Sequence, residues 1–447
     1  MSRQTIGKYS WGYALTHLIS GLFHRLYYRR LLVKFPEKIP ENSPVIFALN
    51  HQNALMDALS IVYTMEGQVV FLARADIFKK KFTAALLYFL KILPAYRIRD
   101  GFHSVDQNKE VFKEVFRVIE NKRPVALFPE GSHLGQRRLR PLKKGVARMA
   151  LQAYEFLGAT KEVYVVPIGL YYSNYYHAGS DLLVVCGDPI PASDYHEQYL
   201  MNQPVALGLL TDELARGLNN VVINIDTEEH YQTIHDAIEI YCPDELKQKH
   251  LKPTLWNIFS IKKELAGKIC ADINAKEDQI TDLHSDLERY NRQLNDLNIR
   301  DGQVSRQVCN PAVFMLKCCL SLLLLPFHLF GMILNYLPYR LPVYLSRNVK
   351  DPHFISSVRF VYGLLFFFFW YLLLLVISLI LFNHLYISAA FYLSVPVAGL
   401  FAFYHYKYLQ KLRADFRWAW IKFRKRKLFV EMTDLRKSII RKIEALI

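Results

Sequence analysis

The residues best suited to chemistry lie in a short polar segment, residues 50–57, that follows the apolar run 45–49. His51 and Asp57 are separated there by five residues. A neutral imidazole can take a proton from a hydroxyl group, and a neighbouring carboxylate can orient the ring and stabilise the imidazolium that forms. We therefore interpret His51 as a general base and Asp57 as its partner, with the incoming hydroxyl as the nucleophile.

A second polar segment follows the apolar run 125–128 and begins Pro129-Glu130-Gly131. This pattern indicates a strand that enters a tight turn, where glycine allows backbone and ligand to approach closely. Glu130 would accept hydrogen bonds from an acceptor hydroxyl or orient a cation. Ser132 is not the central residue of a G-x-S-x-G turn, so direct transfer is favoured over a covalent intermediate.

Two groups of cations follow apolar runs and could bind a phosphate. Arg97 and Arg99 follow residues 90–95, and an arginine can bind phosphate oxygens in a bidentate fork. Lys143 and Lys144 precede Gly145 at the predicted start of a helix, where backbone N–H groups favour anions.

The composition favours a membrane protein over a nucleic-acid-binding one. The chain of 447 residues is 52% hydrophobic yet has a net charge of +16, a combination that suits an anionic bilayer surface. Zinc-finger, RNP and basic-zipper patterns are absent from the sequence. The six cysteines form no CxxC pair, and there is no Walker or HExxH motif, so we expect no metal and no cofactor.

Residues 36–203 alternate between short β-rich runs and helical stretches, which predicts an α/β fold with a central sheet flanked by helices. The sequence predicts five strands and four helices: strands at 45–49, 69–72, 125–128, 163–168 and 182–186, and helices at 55–65, 82–92, 105–121 and 144–157. The polar segments fall at strand ends, where such sheets bind ligands.

Helical patterns flank this domain on both sides. Residues 1–35 predict an interfacial amphipathic helix whose apolar stripe consists of Trp11, Leu15, Leu18, Ile19, Leu22 and Leu26. Arg25, Arg29 and Arg30, with Tyr27 and Tyr28 between them, would lie at headgroup level; a helix that merely caps the domain is the alternative. Residues 204–308 predict helices, with a coiled-coil stripe over 273–297 that would form an intramolecular hairpin or a homodimer.

Residues 309–410 predict the membrane region. Segments 312–337, 359–382 and 385–408 are each long and apolar enough to cross about 30 Å of hydrocarbon. Basic residues flank the last two, and the tail 411–447 is densely basic, which favours the cytoplasm for both ends of that pair. Because Pro326 interrupts the first segment, we expect two spans plus a broken or re-entrant segment, with three spans as the alternative.

Four blocks in order resemble the glycerolipid acyltransferases that esterify glycerol 3-phosphate or its 1-acyl derivative. They are Asn50-His51…Asp57, Tyr96-Arg97-Ile98-Arg99, Phe128-Pro129-Glu130-Gly131 and Val166-Pro167-Ile168-Gly169. The resemblance implies that His51 is the base, that Asp57 is its partner, and that Asn50, Arg97, Glu130 and Gly131 contribute to the binding of the acceptor.

Two departures from the commonest family pattern resemble the branch of large fungal glycerol-3-phosphate acyltransferases and their bacterial relatives. Five residues rather than four separate His51 from Asp57, and the third block continues Ser132-His133 where the family commonly has Thr-Arg. The extra residue could displace Asp57 from His51. In place of the missing arginine, Arg137, Arg138 or Arg140 would serve.

The resemblance implies a multi-pass protein, expected in a bacterial inner membrane with its catalytic domain on the cytoplasmic side. It would transfer a fatty acyl group from acyl-CoA or acyl-carrier protein to glycerol 3-phosphate or 1-acylglycerol 3-phosphate. Acylation of another lysolipid and a non-catalytic membrane scaffold are the alternatives. Acceptor, sn position, chain length and oligomeric state stay open.

Overall fold

The chain divides into two compact units. The computed structural model describes residues 6, 10–96, 103–271, 273–306 and 310–447, without the side chains of 103–109 and 274. One unit comprises residues 1–224, 254–259 and 350–357, and the other comprises 225–253, 260–349 and 358–447.

An eight-stranded sheet forms the centre of the first unit, in the order β1-β7-β6-β2-β5-β3-β4 with β8 paired to β6. The strands are β1 (Arg30–Lys34), β2 (Val45–Leu49), β3 (Val70–Arg74), β4 (Ile92–Ala95), β5 (Val125–Leu127), β6 (Tyr164–Tyr172), β7 (Asp181–Cys186) and β8 (Ile190–Pro191). Pairing is parallel except that β7 and β8 run antiparallel to β6. All five residues of β2 are buried, as expected for a continuous apolar strand at the centre of a covered parallel sheet.

The helices of this unit alternate with the strands. They are α1 (Trp11–Tyr27), α2 (Leu55–Val62), α3 (Lys81–Phe89), α4 (His103–Glu120), α5 (Gly145–Phe156), α6 (His196–Met201) and α7 (Gln203–Val221). The predicted α/β class is therefore confirmed, and each predicted strand and helix of residues 36–203 is found within a few residues of its expected bounds, apart from the longer β6. Strand β4 was missed because its Pro94 is unusual in a strand; β4 lies at the edge of the sheet, where proline is tolerated.

The prediction that the basic and aromatic residues near position 28 lie at headgroup level is wrong for the two tyrosines and stays a prediction for the arginines, of which Arg29 and Arg30 are partly exposed but ion-paired. Arg29 donates to both carboxylate oxygens of Asp181, at 2.9 and 2.6 Å, and Arg30 donates to one of them at 2.7 Å. Tyr27 and Tyr28 are buried. The chain enters the sheet here as β1, beside β7, and so residues 30–34 are not part of an interfacial helix.

Helix α1 nevertheless presents its predicted apolar stripe outward. All six of its members are exposed: Trp11, Leu15, Leu18, Ile19, Leu22 and Leu26. The other face buries Tyr13, His24 and Tyr27. A helix that merely caps the domain would bury the stripe, so the arrangement agrees with an interfacial helix.

The first unit extends beyond the predicted boundary at residue 203. Helix α7 lies so close to β6 that a Cβ atom on Gly169 would be 1.9 Å from the carbonyl oxygen of Val221. Residues 203–224 therefore belong to the sheet-containing unit and not to the helical region predicted over 204–308.

The second unit is helical. It contains α8 (Tyr231–Gln248), most of α9 (Leu255–Cys270), then α10 (Glu277–Asp296), α11 (Asp301–Val304), α12 (Pro311–Leu323), α13 (Leu325–Leu345), most of α14 (Ile355–Phe382), α15 (Leu385–Arg424) and α16 (Arg426–Leu446). Helix α10 buries most of the predicted coiled-coil stripe, namely Ile280, Leu283, Leu287, Tyr290 and Leu294, against α8 and α16. The stripe is thus covered within the chain, which favours the intramolecular alternative over a homodimer through α10.

Part of the basic tail, helix α16, also packs against other helices of the second unit. Arg436 of α16 donates from Nε to Asp301 at 2.6 Å and from a terminal nitrogen to Asp244 at 2.5 Å. Met432, Ile439 and Ile443 of the same helix are fully buried. The tail is therefore an amphipathic helix with a packed face, whereas the sequence predicted its charge alone.

Helices α14 and α15 are long and apolar enough to cross a membrane. Helices α12 and α13 pass the same test together but are bent by 51° at Leu324, two residues before Pro326. Proline is tolerated in the first turn of α13 and hinders continuation of the preceding helix. Two helices that could span a membrane and one bent pair therefore lie where two spans and a broken segment were predicted, and the number of spans stays a prediction. Helix α15 extends to Arg424 rather than ending at 408.

We predict that Gly169→Ala destabilises the first unit, because the added Cβ would overlap the Val221 carbonyl and force α7 away from β6. Overpacking of this kind typically costs about 1–3 kcal/mol. Gly145→Ala is the matched control, since its Cβ would meet no atom within 4 Å. Thermal unfolding of the detergent-solubilised chain should show a lower Tm for Gly169→Ala alone; equal Tm values would contradict the close packing.

Candidate active site

The candidate site lies at the carboxyl edge of the sheet, where β2 and β5 end side by side. These strands are parallel, with Ala48 beside Leu127, so the residues after each strand emerge together. His51 follows β2 and Glu130 follows β5. The sheet therefore brings the two polar segments of the sequence into one place.

Asn50 links this edge to the next strand. Its side-chain amide donates to the Leu170 carbonyl at 3.1 Å, and its side-chain oxygen accepts from the Leu170 N–H at 2.7 Å. The residue is 1% exposed. These contacts account for Asn50 as a residue that anchors the turn to β6, and they give no support to its predicted contact with the substrate.

His51 and Asp57 are in contact despite the five residues between them. Nδ1 of His51 lies 2.9 Å from an oxygen of Asp57, whose side chain is fully buried. The same oxygen accepts from the backbone N–H groups of Gln52 and Asn53, at 2.8 and 2.7 Å. Ala54 has φ of 45° directly before α2, and this turn brings Asp57, in the first turn of the helix, back towards His51. The extra residue therefore does not displace Asp57.

The other oxygen of Asp57 is bound by Tyr172, a residue that the sequence analysis did not single out. The Tyr172 hydroxyl, which lies 3.0 Å from Ser60, donates to this oxygen at 2.9 Å. Burial, and then the charge of Asp57, raise the pKa of Tyr172 well above its usual value, so the phenol keeps its proton. Tyr172 lies at the end of β6, more than a hundred residues from Asp57, and no local motif marks it.

Glu130 holds the backbone of the site. One of its oxygens accepts from the His51 N–H at 2.8 Å and the other from the Arg140 N–H at 3.0 Å. Burial raises the pKa of Glu130 to about 7, although the two N–H groups act to lower it. The ionised carboxylate accepts more strongly from both groups than the protonated acid does, so these two hydrogen bonds weaken as the pH falls below that value. A direct contact between Glu130 and an acceptor stays a prediction.

The imidazole of His51 is fixed in the orientation that a base requires. Its ring stacks on Phe128, with centroids 3.9 Å apart and an interplanar angle of 11°. Nδ1 faces the Asp57 carboxylate and therefore carries the proton, which leaves the lone pair on Nε2. The side chain is 15% exposed, so the ring is partly accessible to solvent. Because the ring stacks on Phe128, it also lies beside the turn that contains Glu130.

Cations surround the turn that follows Glu130. Gly131 has φ of 70°, and a Cβ atom there would lie 2.8 Å from Nζ of Lys143. Arg140 donates to the hydroxyl of Ser132 at 2.8 Å. Lys144, in contrast, donates to the Pro204 carbonyl at 3.2 Å. The side chains of Lys143 and Arg140 thus both lie at the turn.

The remaining predicted cations are placed less favourably or fall outside the description. Arg137 is 5% exposed, and its guanidinium lies 5.0 Å from the ring centroid of Tyr171. Arg138 is half-buried. Arg97 and Arg99 lie outside the described residues. Of the three arginines proposed to replace the family's missing one, Arg140 has a described side-chain contact with the turn, to the hydroxyl of Ser132.

Part of the amino-acid sequence is similar to known acyltransferases. Residues 30–171 match the family model described as Acyltransferase. Over 230 residues the chain is 29% identical to glycerol-3-phosphate O-acyltransferase 2 of Saccharomyces cerevisiae, covering 51% of this chain and 30% of the yeast protein. Over 145 residues it is 28% identical to the 1-acyl-sn-glycerol-3-phosphate acyltransferase of Borreliella burgdorferi, covering 32% of this chain and 52% of that protein.

A similar solved structure is the 1-acyl-sn-glycerophosphate acyltransferase PlsC of Thermotoga maritima. The match has a TM-score of 0.32 and 15% identity, and covers 46% of this chain and 80% of that one. The chain spans about a third of the length of the yeast protein and about half that of the Borreliella protein. The matched region contains the entire acid–base arrangement except Tyr172, which comes one residue after the end of the family match.

We predict that Tyr172→Phe lowers kcat/KM for the reaction catalysed at this site by about tenfold or more. The substitution removes the hydroxyl that donates to one oxygen of the buried Asp57 carboxylate. A hydrogen bond to a charged group contributes roughly 1.5–3 kcal/mol. Tyr164→Phe, on the same strand, is the control. Steady-state kinetics of both variants would test the role. If Tyr172→Phe matched Tyr164→Phe in rate and Tm, the Tyr172–Asp57 bond would have no part in positioning.

Proposed function

We propose that the chain, whose residues 30–171 match the Acyltransferase family model, is an O-acyltransferase of phospholipid biosynthesis. It transfers a fatty acyl group from a thioester donor, acyl-CoA or acyl-carrier protein, to a hydroxyl of glycerol 3-phosphate or 1-acylglycerol 3-phosphate. The observation that carries this proposal is the hydrogen-bonded chain from His51 through Asp57 to Tyr172, which leaves Nε2 of His51 to act as the base.

In the proposed reaction Nε2 of His51 removes the proton from the acceptor hydroxyl as its oxygen attacks the thioester carbonyl carbon. Asp57 stabilises the imidazolium that forms. The tetrahedral intermediate then collapses, the carbon–sulfur bond breaks, and the imidazolium returns the proton to the departing thiolate. The products are the ester and the free thiol, and the base is restored to its neutral form.

The acceptor's phosphate would be bound beside the Gly131 turn. Arg140 can present a guanidinium there while its backbone N–H is held by the same Glu130 carboxylate that holds His51. Base and cation are thus fixed to one carboxylate. Such a brace would keep the distance between reacting hydroxyl and phosphate constant, as transfer to a small acceptor requires. Lys143 would add a second positive charge, and Arg97 and Arg99 stay candidates from the sequence.

We further propose that the protein works at a bacterial inner membrane with its catalytic unit on the cytoplasmic side. The exposed stripe of α1 offers an apolar surface to the bilayer, and α14 and α15 supply two candidate spans. The acylated products of this reaction, and the acceptor 1-acylglycerol 3-phosphate, partition at such a surface.

Acylation of another lysolipid is the second enzymatic candidate, because the acid–base chain specifies the transfer and not the acceptor. A non-catalytic scaffold is the third; it would have no use for a buried carboxylate held by four hydrogen bonds.

We predict that His51→Ala abolishes acyl incorporation, with a loss of about a hundredfold or more in kcat, because general-base catalysis typically contributes 10²–10⁴. Membranes would be incubated with labelled acyl-CoA or acyl-carrier protein and, side by side, glycerol 3-phosphate, 1-acylglycerol 3-phosphate or another lysophospholipid. His250→Ala, at an exposed histidine of the second unit, is the control.

The series of acceptors and the comparison of His51→Ala with the parent together distinguish the three candidate functions. Activity with the other lysolipid alone would favour lysolipid remodelling. Equal incorporation by His51→Ala and the parent would exclude His51 as the base, and the lack of incorporation by the parent with any acceptor would favour the scaffold.

We predict that Arg140→Ala raises the acceptor KM by about tenfold and leaves the donor KM unchanged, because a charge-assisted contact to phosphate contributes roughly 1.5–3 kcal/mol. Arg148→Ala, an exposed arginine on α5, is the control. Initial rates at varied acceptor concentration would measure the effect. An unchanged acceptor KM in Arg140→Ala would assign the phosphate to other cations.

A further inference from the structure

A second group of polar side chains lies beside His51 in the first unit, outside the acid–base chain. It consists of His133, Asp351 and His353. Nε2 of His133 is 3.0 Å from one Asp351 oxygen, and Nδ1 of His353 is 2.7 Å from the other. One ligand atom from each of the three residues lies within 4.8 Å of the other two. The rings of His133 and His51 meet edge to face, with centroids 5.4 Å apart.

In contrast to the expectation of no metal from the sequence, we propose that these three residues bind a divalent metal ion, Zn²⁺ by preference. Two imidazoles and one carboxylate are a ligand set that zinc accepts with a fourth position open to water. Histidine nitrogens and carboxylate oxygens bind zinc at about 2.0–2.2 Å, so ligand atoms of a tetrahedral ion lie roughly 3.4 Å apart. The contacts at 3.0 and 2.7 Å, which involve the two different oxygens of Asp351, would widen to this spacing, and rotation of the partly exposed side chains would bring all three ligand atoms, now within 4.8 Å of one another, around one ion.

The backbone beside the cluster makes room for one of the ligands. A Cβ atom on Gly135 would lie 2.3 Å from Cδ2 and 2.4 Å from Nε2 of His353, so any side chain at position 135 would displace this ring. Phe354 packs edge to face on His133, with centroids 5.0 Å apart, and limits the rotation of that imidazole. The ligands are therefore held from outside the cluster, as metal ligands usually are.

The cluster is also open to ions from solution. Its side chains are 20% (His133), 44% (Asp351) and 27% (His353) exposed. Two of the ligands come from the segment 350–357, and the third follows the Glu130 turn more than two hundred positions earlier. A bound ion would tie these parts together where Ser356 already donates to the side-chain oxygen of Asn53 at 2.6 Å.

Zinc titration of the full-length protein tests this site without reference to acyl transfer. The detergent-solubilised chain would be freed of metal with EDTA, exchanged into buffer and titrated with Zn²⁺ against a chromophoric chelator, with Tm measured in parallel. We expect one equivalent per chain, bound at micromolar affinity or tighter, and a rise in Tm on binding because the ion stabilises the folded state. His133→Gln, Asp351→Asn and His353→Gln should each lose this equivalent and the rise in Tm.

A fourth variant keeps every ligand and tests the geometry. Gly135→Ala should weaken Zn²⁺ binding by about tenfold or more by displacing His353. His250→Gln, at an exposed histidine outside the cluster, should bind as the parent does. The proposal is overturned if the parent binds no Zn²⁺ in this range, which would leave a hydrogen-bonded cluster only, or if the three ligand variants bind as tightly as the parent.

Discussion

The fully buried carboxylate of Asp57 is the group on which the site depends. A buried charge is costly unless hydrogen bonds satisfy it, and each of the four donors that bind Asp57 comes from a defined place in the fold. Two are backbone N–H groups of the turn after β2, one is the imidazole of His51, and one is the hydroxyl of Tyr172 at the end of β6. Satisfying the charge therefore also fixes the ring that would act as base.

Glu130, at the same edge of the sheet, positions the backbone of the site. Its oxygens hold backbone N–H groups, one on each of the two polar segments, so it sets the distance between the base and the cationic loop without lending its own side chain to proton transfer. Because burial raises the pKa of Glu130 to about 7, its two hydrogen bonds are strongest above that value. The position of the backbone and the charge state of Glu130 are thus coupled in one residue.

The sequence could predict what is local and periodic. The apolar runs predicted the central strands, and the position of His51 directly after one of these runs indicated that it is the general base. Tyr172 could not be found this way, because its contact with Asp57 depends on β6 pairing beside β2. The five-residue spacing raised doubt about Asp57 that only backbone geometry at Ala54 could settle. The ion pairs of Arg29 and Arg30 could not be predicted either, because Asp181, which binds both arginines, lies about 150 positions away.

The same limit explains why α7 and α16 differ from expectation. Helical periodicity shows that a face must be covered, but not by which partner. Gly169 ends the fourth block of the resemblance, but only the approach of the Val221 carbonyl shows that this glycine allows α7 to pack on the sheet. Likewise Arg436 is one cation among many in a basic tail, until Asp244 and Asp301 place it at a packed surface of the second unit. In each unit, then, contacts between residues far apart in the sequence determine which positions require a small residue or a paired charge. Local sequence patterns do not identify these positions.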